Sequence, residues 1–285
     1  MILGVLGGSG LYDLDGLEGV REETVVTPFG HPSGPLVRGR LADREVVFLA
    51  RHGRGHRLLP SEINYRANIH ALKQLGVERV LSISAVGSLR DGIAPGDLVL
   101  VDQFIDRTYR RATSFFGDGA VGHVSFADPV CADLGDAIAE AAGEVAGGGR
   151  LHRGGTYVCM EGPQFSTRAE SLLHRSWGAA TIGMTGATEA KLCREAELCF
   201  VSLALVTDYD AWHEVEAAVT AEAVIAVLLA NVARAKEVVR RSLPKVGRPR
   251  ACACARAAAG AILTAPDAIP AETREKLKVL YGRYL

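Results

Sequence analysis

Polar side chains follow five short apolar runs of this sequence, and their types suit the binding of an anion and of a hydrogen-bonding base. The five clusters are Gly7-Gly8-Ser9-Gly10, Arg51-His52, Ser84-Ala85, Met184-Thr185 and Asp208-Tyr209-Asp210. Short apolar runs bounded by glycine or polar residues are typical of buried strands. In open α/β sheets, ligands bind in the crevice beyond the carboxyl ends of the strands. The pattern therefore predicts one site assembled from five strand ends across the whole chain.

Most of these clusters carry groups that bind phosphate. The glycine-rich turn around Ser9 exposes backbone N–H groups and a hydroxyl. The Arg51-His52 pair offers donors for an oxyanion, and Thr185 precedes a predicted helix whose amino terminus attracts anions. Each residue also has an ordinary structural explanation, such as a tight turn, a surface arginine, a strand end at Ser84 or a helix cap. The convergence of these donors on one sheet edge favours a phosphate site.

The Asp208-Tyr209-Asp210 cluster predicts selectivity for a purine base. Adenine presents an exocyclic amine beside N7, and a carboxylate accepts hydrogen bonds from that amine and from a protonated N7. A 6-oxopurine presents an acceptor there, which an amide would suit better. The carboxylates are otherwise explained as a helix cap or a metal pair, and no His or Glu lies at ligand spacing to favour the metal pair. Phe165 offers a flat face for the base, or is an ordinary core aromatic.

The composition describes an ordinary globular protein without a strongly charged surface. The chain has 285 residues, of which 48% are hydrophobic and 23% charged, and its formal net charge is -1. It contains no basic stripe for nucleic acid and no apolar run near the ~20 residues of a membrane helix. It opens with strand-like residues rather than a basic leader. We therefore expect no nucleic-acid or membrane partner and a cytoplasmic location.

The six cysteines do not form the pattern of a disulfide scaffold. Cys131, Cys159, Cys193 and Cys199 lie in apolar stretches and are expected to be buried free thiols. The Cys252-Ala253-Cys254 segment follows a loop and is expected to be exposed, with a local disulfide or a redox-sensitive tail as open alternatives. Its spacing differs from the usual CxxC pairs, and no second pair stands nearby in the sequence. No metal is therefore expected.

The elements that must position these clusters follow from apolar periodicity and from turn and cap residues. Their alternation along the chain predicts an α/β fold. A long functional loop is expected over residues 107–126. Strands are predicted at Ile2–Leu6, Leu36–Leu41, Glu45–Ala50, Arg79–Ile83, Asp97–Val101, Thr156–Met160, Ala179–Gly183 and Leu198–Val206. Helices are predicted from a cap at Ser61 to Leu75, and at Cys131–Val145, Arg168–Trp177, Thr185–Glu197, Thr220–Arg240 and Ala271–Tyr281, with a loop at Lys245–Arg250.

Ten short motifs lie in one order along nearly the whole chain to Arg241. They are GGSGL, TPFGHPSGPL, LARHGRGH, NYRANI, SAVGSLR, PGDLV, DQFIDRT, EGPQFSTRAES, GMT and VTDYD. This set resembles the methylthioadenosine phosphorylases of the trimeric purine nucleoside phosphorylase family. The resemblance implies a single α/β domain with a central mixed β-sheet flanked by helices, and a homotrimer or a dimer of trimers. The phosphorylase domain would span 1–241, and the C-terminal loop with the CxC and the terminal helix, 242–285, would belong to the same domain.

The resemblance also implies a role for each matching position. Val224 joins them because it lies three residues after Ala221 on one face of a predicted helix. Ala221 is smaller than the valine common there, which bears on the 5′ pocket, and Ser9 and Ser84 keep the hydroxyl of the commoner threonine. The implied roles are phosphate contacts for Ser9, Arg51, His52, Ser84, Ala85 and Thr185, a ribose contact for Met184, base contacts for Asp208 and Asp210 beside Tyr209, the base-pocket wall for Phe165 and Ser166, substrate preference for Ser166 and Ala221, and the 5′ pocket for His123.

The implied reaction is a pentosyl transfer, the phosphorolysis of S-methyl-5′-thioadenosine to adenine and 5-methylthioribose 1-phosphate. Asp208 would hold or deliver the proton at N7 while phosphate lies under the anomeric carbon. Inorganic phosphate is a co-substrate, and no metal or organic cofactor is implied. Three alternatives are a methylthioinosine or other 6-oxopurine nucleoside phosphorylase, a non-catalytic nucleotide-binding protein, and a dehydrogenase. Asp208 argues against the first, the complete phosphate set against the second, and the absence of the fingerprint glycine at Asp13 against the third.

Overall fold

A sheet of eleven strands forms the centre of the structure, a computed structural model. The structure describes residues 1–8, 16–145, 149–213, 221–247 and 249–285, and within 221–230 only the side chains of residues 227 and 229. The strands are β1 (Ile2–Gly7), β2 (Glu18–Glu23), β3 (Leu36–Leu41), β4 (Arg44–Ala50), β5 (Val77–Ser88), β6 (Leu98–Val101), β7 (Gln103–Asp106), β8 (Leu151–Arg153), β9 (Thr156–Cys159), β10 (Thr181–Gly183) and β11 (Cys199–Asp208). The α-helices are α1 (Tyr65–Gln74), α2 (Ala132–Gly143), α3 (Arg168–Ser176), α4 (Gly186–Glu195), α5 (Ala221–Val246) and α6 (Ala271–Tyr281).

Four parallel strands at the centre of the sheet carry most of the predicted site. β4, β1, β5 and β11 lie side by side in that order. Their carboxyl ends face the same edge, because Gly7 pairs with Ala50 across β1 and β4, and Leu6 pairs with Ser82 across β1 and β5. β10 runs antiparallel to β5, and β6 antiparallel to β11. The predicted single α/β domain with a mixed sheet is confirmed.

Helices cover both faces of the sheet, as predicted. Ile138 of α2 and Val239 of α5 lie in the apolar core of one face. Ile69 of α1, Leu192 of α4 and Leu277 of α6 lie in the core of the other. Strands covered on both faces read as continuous apolar runs, which is why β1 and β11 are detectable in the sequence. Within the described residues, no helix is both long and apolar enough to cross a membrane.

Three predicted boundaries are wrong, each for a local reason. Ser61 does not cap α1, because the Asn64 side chain accepts the Ala67 N–H at 3.1 Å and starts the helix later. The strand predicted to end at Ile83 continues, because the ladders of β5 with β10 and β11 extend to Ser88 and Gly87. α5 continues through Pro244 to Val246, so the predicted loop after it is shorter and residue 242 lies within a helix.

The cysteines differ in part from expectation. Cys131, Cys159, Cys193 and Cys199 are buried free thiols, as predicted. The expected exposure of the CxC segment is wrong, because Cys254 is buried and Cys252 is half-buried. The segment packs on the apolar core beneath α2 and α5, which removes it from solvent.

Candidate functional site

Arg51 follows β4 directly and is buried, with only 2% of the residue exposed. Its Nε and Nη2 donate to the two carboxylate oxygens of Glu189 at 2.6 and 3.1 Å, and Nη2 also donates to Ser82 Oγ at 2.8 Å. Its Nη1 donates to the Ile83 carbonyl at 2.7 Å, next to Ser84. Burial alone would lower the pKa of Arg51, but the Glu189 carboxylate outweighs it and the pKa is raised. Arg51 is therefore a buried cation fixed at the edge of the sheet, rather than a mobile arginine on the surface.

The Arg51–Glu189 ion pair also fixes the start of α4. The Glu189 N–H donates to the Thr185 carbonyl at 3.4 Å, so the carboxylate that holds Arg51 belongs to the first turn after Thr185. Thr185 occupies the N-cap position, yet its side chain makes no capping hydrogen bond. Because β10 runs antiparallel to β5, Thr185 approaches Ser84 and Ala85 from the opposite direction. The ion pair thus joins the Arg51 and Thr185 clusters, as the prediction of one site requires.

Ser84 and Ala85 lie within β5 and are half-buried. The Ser84 Oγ is shielded from solvent and has no hydrogen-bond partner in the described part of the chain. Leaving a buried hydroxyl unpaired costs about 1–3 kcal/mol. A bound oxyanion accepting from Ser84 would remove that cost.

His52 presents a hydrogen-bond acceptor at neutral pH rather than the expected donor. Its Nδ1 lies 2.8 Å from the Leu58 carbonyl, and since a carbonyl only accepts, Nδ1 carries the proton. Burial, with a smaller contribution from the Arg51 charge, lowers the pKa of His52 to about 4. The ring is therefore neutral at pH 7, and its Nε2 presents a lone pair. His56 stacks on the ring with centroids 4.2 Å apart and fixes its plane.

Arg111 brings a second buried guanidinium to the site from the loop predicted at residues 107–126. It donates to the Met184 carbonyl and, through Nε at 3.1 Å, to the Glu161 carboxylate. Glu161 also accepts the backbone N–H groups of Tyr109 and Arg110 at 2.7 and 3.1 Å. Burial would raise the pKa of Glu161, but these N–H bonds and the Arg111 charge lower it. The predicted functional loop is thereby tied to Met184, the predicted ribose contact.

Asp208 ends β11 with its carboxylate against β5. Thr207 Oγ1 donates to its Oδ2 at 2.7 Å, and the Asp210 backbone N–H donates to Oδ1 at 2.8 Å. A Cβ placed on Gly87 would lie 2.9 Å from Asp208 Oδ1, so the close approach of the carboxylate to β5 requires glycine there. The carboxylate is held from both sides in one orientation. This is the fixed geometry that recognition of two adjacent donors on a base demands.

Asp210 is oriented by α3 rather than by solvent. Its Oδ2 accepts from Ser171 Oγ at 2.5 Å, and its backbone adopts φ 53°. Tyr209 stacks on His213 with centroids 4.6 Å apart. Asp210 and Tyr209 are predicted neighbours of the base, and both lie at the turn that follows Asp208.

The remaining predicted residues lie on the loops around this edge or outside the described residues. Phe165 is 44% exposed, so its explanation as a core aromatic is wrong. Ser166 is half-buried, with Oγ 3.8 Å from Met160 Sδ, and His123 is exposed in the long loop. Ser9 and the side chains of Ala221 and Val224 lie outside the described part of the chain.

Several residues that were not predicted from the sequence hold the predicted ones in place. Ser82 and Glu189 orient Arg51, Ser171 orients Asp210, and Arg111 with Glu161 orients Met184. Each is separated by tens of residues from its partner. The one feature of the sequence that could have indicated them is a polar residue inside an apolar element, such as Ser82 within β5.

Residues 2–244 match the family model of the phosphorylase superfamily. The S-methyl-5′-thioadenosine phosphorylase of Geobacter sulfurreducens is 56% identical over 285 residues, covering 100% of this chain and 99% of that protein. The protein of the same name from Koribacter versatilis is also 56% identical, covering 99% of this chain and 96% of its own. Both similarities extend through the C-terminal segment.

Solved structures agree with this similarity. A methylthioadenosine phosphorylase from an Antarctic soil metagenomic library has a TM-score of 0.93 at 46% identity, covering 98% of both chains. Methylthioadenosine phosphorylase from Schistosoma mansoni, in complex with adenine, has a TM-score of 0.85 at 33% identity, covering 94% of this chain and 99% of that one. This chain belongs to the phosphorylase superfamily and, within it, to the methylthioadenosine phosphorylase family.

Proposed function

We propose that this protein is a pentosyltransferase that cleaves S-methyl-5′-thioadenosine with phosphate, giving adenine and 5-methylthioribose 1-phosphate. The observation that carries the proposal is the placement of the fixed Asp208 carboxylate on β11, beside the strand that bears the unpaired Ser84 hydroxyl. The full-length similarity to proteins named for this activity supports it. The chemistry requires no metal or organic cofactor, since phosphate is the nucleophile.

The phosphate half of the site gathers donors around one cation. Ser84 Oγ, the Thr185 hydroxyl and the amino terminus of α4 surround the dianion, with Ala85 beside them, and Ser9 stays a phosphate contact proposed from the sequence alone. Arg51 supplies positive charge from within the sheet edge, held by Glu189. Orientation of the dianion under the anomeric carbon converts a bimolecular attack into a positioned one.

The base half stabilises the leaving adenine. As the bond between the anomeric carbon and N9 breaks, its electron pair moves onto the purine while a phosphate oxygen bonds to the anomeric carbon. Asp208 accepts from the exocyclic amine and holds the proton at N7, placing a hydrogen bond where negative charge develops. Asp210 and Tyr209 shape the adjacent wall with Phe165 and Ser166, and Met184 packs on the ribose.

The neutral state of His52 suits one protonation form of the co-substrate. Hydrogen phosphate dianion carries one P–OH group, and the Nε2 lone pair of His52 accepts its hydrogen bond. Hydrogen phosphate loses one proton when it forms the sugar phosphate ester, and the leaving adenine gains one. The reaction therefore proceeds with no net uptake or release of protons. The adenine-directed carboxylate and the names of the relatives do not favour the 6-oxopurine alternative.

We also propose a homotrimer or a dimer of trimers in the cytoplasm. Leu172, Leu173 and Trp177 on and after α3 are 50%, 49% and 41% exposed, and Tyr109 in the long loop is 80% exposed. Large apolar side chains exposed near one site are typical of subunit contacts. His123 from the same loop would then border the 5′ pocket of a neighbouring subunit. Light scattering should give the mass of three or six chains, and a monomer would contradict the assembly.

An ultraviolet assay of base release tests the activity itself. Methylthioadenosine, methylthioinosine, adenosine and inosine are each compared with and without phosphate. We expect release from methylthioadenosine in phosphate only, with the two inosine compounds far slower. Faster release from methylthioinosine would replace the proposal with the 6-oxopurine alternative, and no release from any substrate would indicate a binding protein.

A further inference from the structure

Four cysteines from three distant parts of the chain meet on one side of the sheet. Cys131 precedes α2, Cys199 begins β11, and Cys252 and Cys254 flank Ala253 in the C-terminal segment. Their four Sγ atoms all lie within 4.8 Å of one another. No second pair of possible metal ligands lies near the CxC in the sequence, as predicted. The fold nevertheless brings Cys131 and Cys199 next to it.

The spacing fits a tetrahedral thiolate site. Zinc–sulfur bonds of about 2.3 Å place the sulfur atoms of a tetrahedral centre about 3.8 Å apart. The Cys199 and Cys252 Sγ atoms are 3.4 Å apart, and the outer limit of the set is 4.8 Å. All four are free thiols. Four cysteine ligands fill all positions of a tetrahedral zinc ion and leave none for a substrate, as in a structural zinc site. Three of the four cysteines are buried and one is half-buried.

A backbone N–H and a helix amino terminus favour the thiolate form of Cys131, the form in which cysteine binds a metal. The Leu134 N–H donates to Cys131 Sγ at 3.4 Å, and Cys131 occupies the N-cap of the twelve-residue α2. The positive end of that helix stabilises an anionic sulfur. The Cys131 N–H donates to the Phe200 carbonyl at 2.9 Å, which fixes this ligand beside Cys199. Cys252 has an extended backbone and is the N-cap of the short 3-10 helix Ala253–Arg256, which contains Cys254. The Sγ atoms of both CxC cysteines lie within the 4.8 Å of the cluster.

We propose that these four cysteines bind one Zn²⁺ ion, which secures the C-terminal segment to the sheet. The site is separate from the candidate active site, because Cys199 begins and Asp208 ends the ten-residue β11. At about 3.3 Å per residue, the two ends lie roughly 30 Å apart. The inference is independent of the proposed reaction, since neither its geometry nor its test uses catalysis.

The anchored segment in turn supports the loop that carries His123. Ile262 forms a β-bridge with Gly122, and the His123 N–H donates to the Ala261 carbonyl at 2.9 Å. The Leu263 N–H donates to the Val121 carbonyl at 2.9 Å. These contacts begin seven residues after Cys254. Loss of zinc should therefore loosen residues 121–123 as well as the segment itself.

The test is metal content and ligand geometry in the full-length protein purified from zinc-supplemented medium without chelator. Elemental analysis should give one zinc per chain, and zinc-edge X-ray absorption should show four sulfur neighbours at about 2.3 Å. Cys254→Ser should reduce zinc to less than a fifth of the wild-type content. Cys193→Ala is the matched control, a buried cysteine outside the cluster, and should retain the ion. Zinc below one-tenth per chain, iron in its place, or disulfides among the four cysteines in the unreduced protein would each overturn the proposal.

A second measurement does not depend on a variant that folds. Wild-type protein is treated with p-hydroxymercuribenzoate and then with excess thiol and a zinc chelator, and hydrogen exchange is followed with and without added zinc. Faster exchange of the 121–123 amides without zinc, reversed on zinc addition, is expected. Identical exchange in the two states would refute the anchoring role.

Discussion

Replacing Glu189 with Gln separates two roles for Arg51, one in the fold and one in the anion site. Glu189 is 1% exposed and receives Arg51 Nε at 2.6 Å, Arg51 Nη2 at 3.1 Å and Ser82 Oγ at 2.6 Å. Gln keeps the shape of Glu189 and one of its two acceptor oxygens. Its NH₂ group, however, faces a donor where the second oxygen was, and the neutral side chain no longer balances the charge of the Arg51 guanidinium. Breaking a buried ion pair from one side costs about 3–5 kcal/mol.

We expect the lower end of that range, about 3 kcal/mol, because the Gln oxygen retains part of the hydrogen bonding. For a chain of this size about 2–4 °C is lost per kcal/mol, so Tm should fall by roughly 6–12 °C. Glu140→Gln is the control, since its carboxylate pairs with Lys245 at the surface and is 52% exposed. That change should stay within about 0.5 kcal/mol.

Phosphate supplies the second part of the experiment. A dianion near Arg51 replaces the charge lost in Glu189→Gln, so phosphate should raise the Tm of the variant by more than it raises that of the wild type. Thermal unfolding by circular dichroism, with phosphate compared to sulfate-free chloride buffer at equal ionic strength, measures both effects. A loss under about 1 kcal/mol would refute the energetic reasoning. If phosphate raises the Tm of the variant and of the wild type by the same amount, the anion binds away from Arg51.

Three further predictions concern the base, the phosphate and the 5′ pocket. Asp208→Asn should cost about 2–4 kcal/mol in kcat/KM for methylthioadenosine and shift the preference toward methylthioinosine, and an unchanged ratio of the two would contradict the base assignment. Because burial lowers the pKa of His52 to about 4, below the ~6.5 of the unfolded chain, its contribution to stability is full above pH 6.5 and falls toward pH 4. His52→Asn should therefore flatten the dependence of Tm on pH in that window, and an unaltered slope would count against the neutral state of the ring. The same change should raise the phosphate KM about tenfold, because the shorter side chain no longer places an acceptor at the position of Nε2. Ala221→Ser should narrow the preference for methylthioadenosine over adenosine by offering the 5′-hydroxyl a partner, and parity of the two nucleosides in the wild type would overturn the methylthio assignment.

Much of the sheet follows from the sequence because its strands are buried on both faces. β1, β4 and β11 appear as apolar runs with polar residues at their ends, and that pattern located the candidate site. The direction of β10 was not accessible, since a three-residue strand carries no signal of pairing. Its antiparallel course sends Thr185 toward Ser84 from the opposite side, which periodicity alone does not specify.

The supporting residues were also beyond reach, because they depend on contacts between distant parts of the chain. Glu189 lies 138 residues from Arg51, and a glutamate in a helix ordinarily faces solvent. The tautomer of His52 depends on the Leu58 carbonyl, which only the folded turn brings within 2.8 Å. The four-cysteine cluster was missed for the same reason, since its partners were sought close in sequence.

The identity of the products distinguishes phosphorolysis from hydrolysis. Methylthioadenosine and phosphate are incubated with the enzyme, adenine is quantified by its absorbance, and the phosphorus species are followed by ³¹P NMR. Phosphorolysis requires that each adenine released is matched by one phosphate consumed and one sugar 1-phosphate formed, and that neither product forms without phosphate. Adenine release with free methylthioribose and unchanged phosphate would identify a hydrolase instead and contradict the proposed reaction.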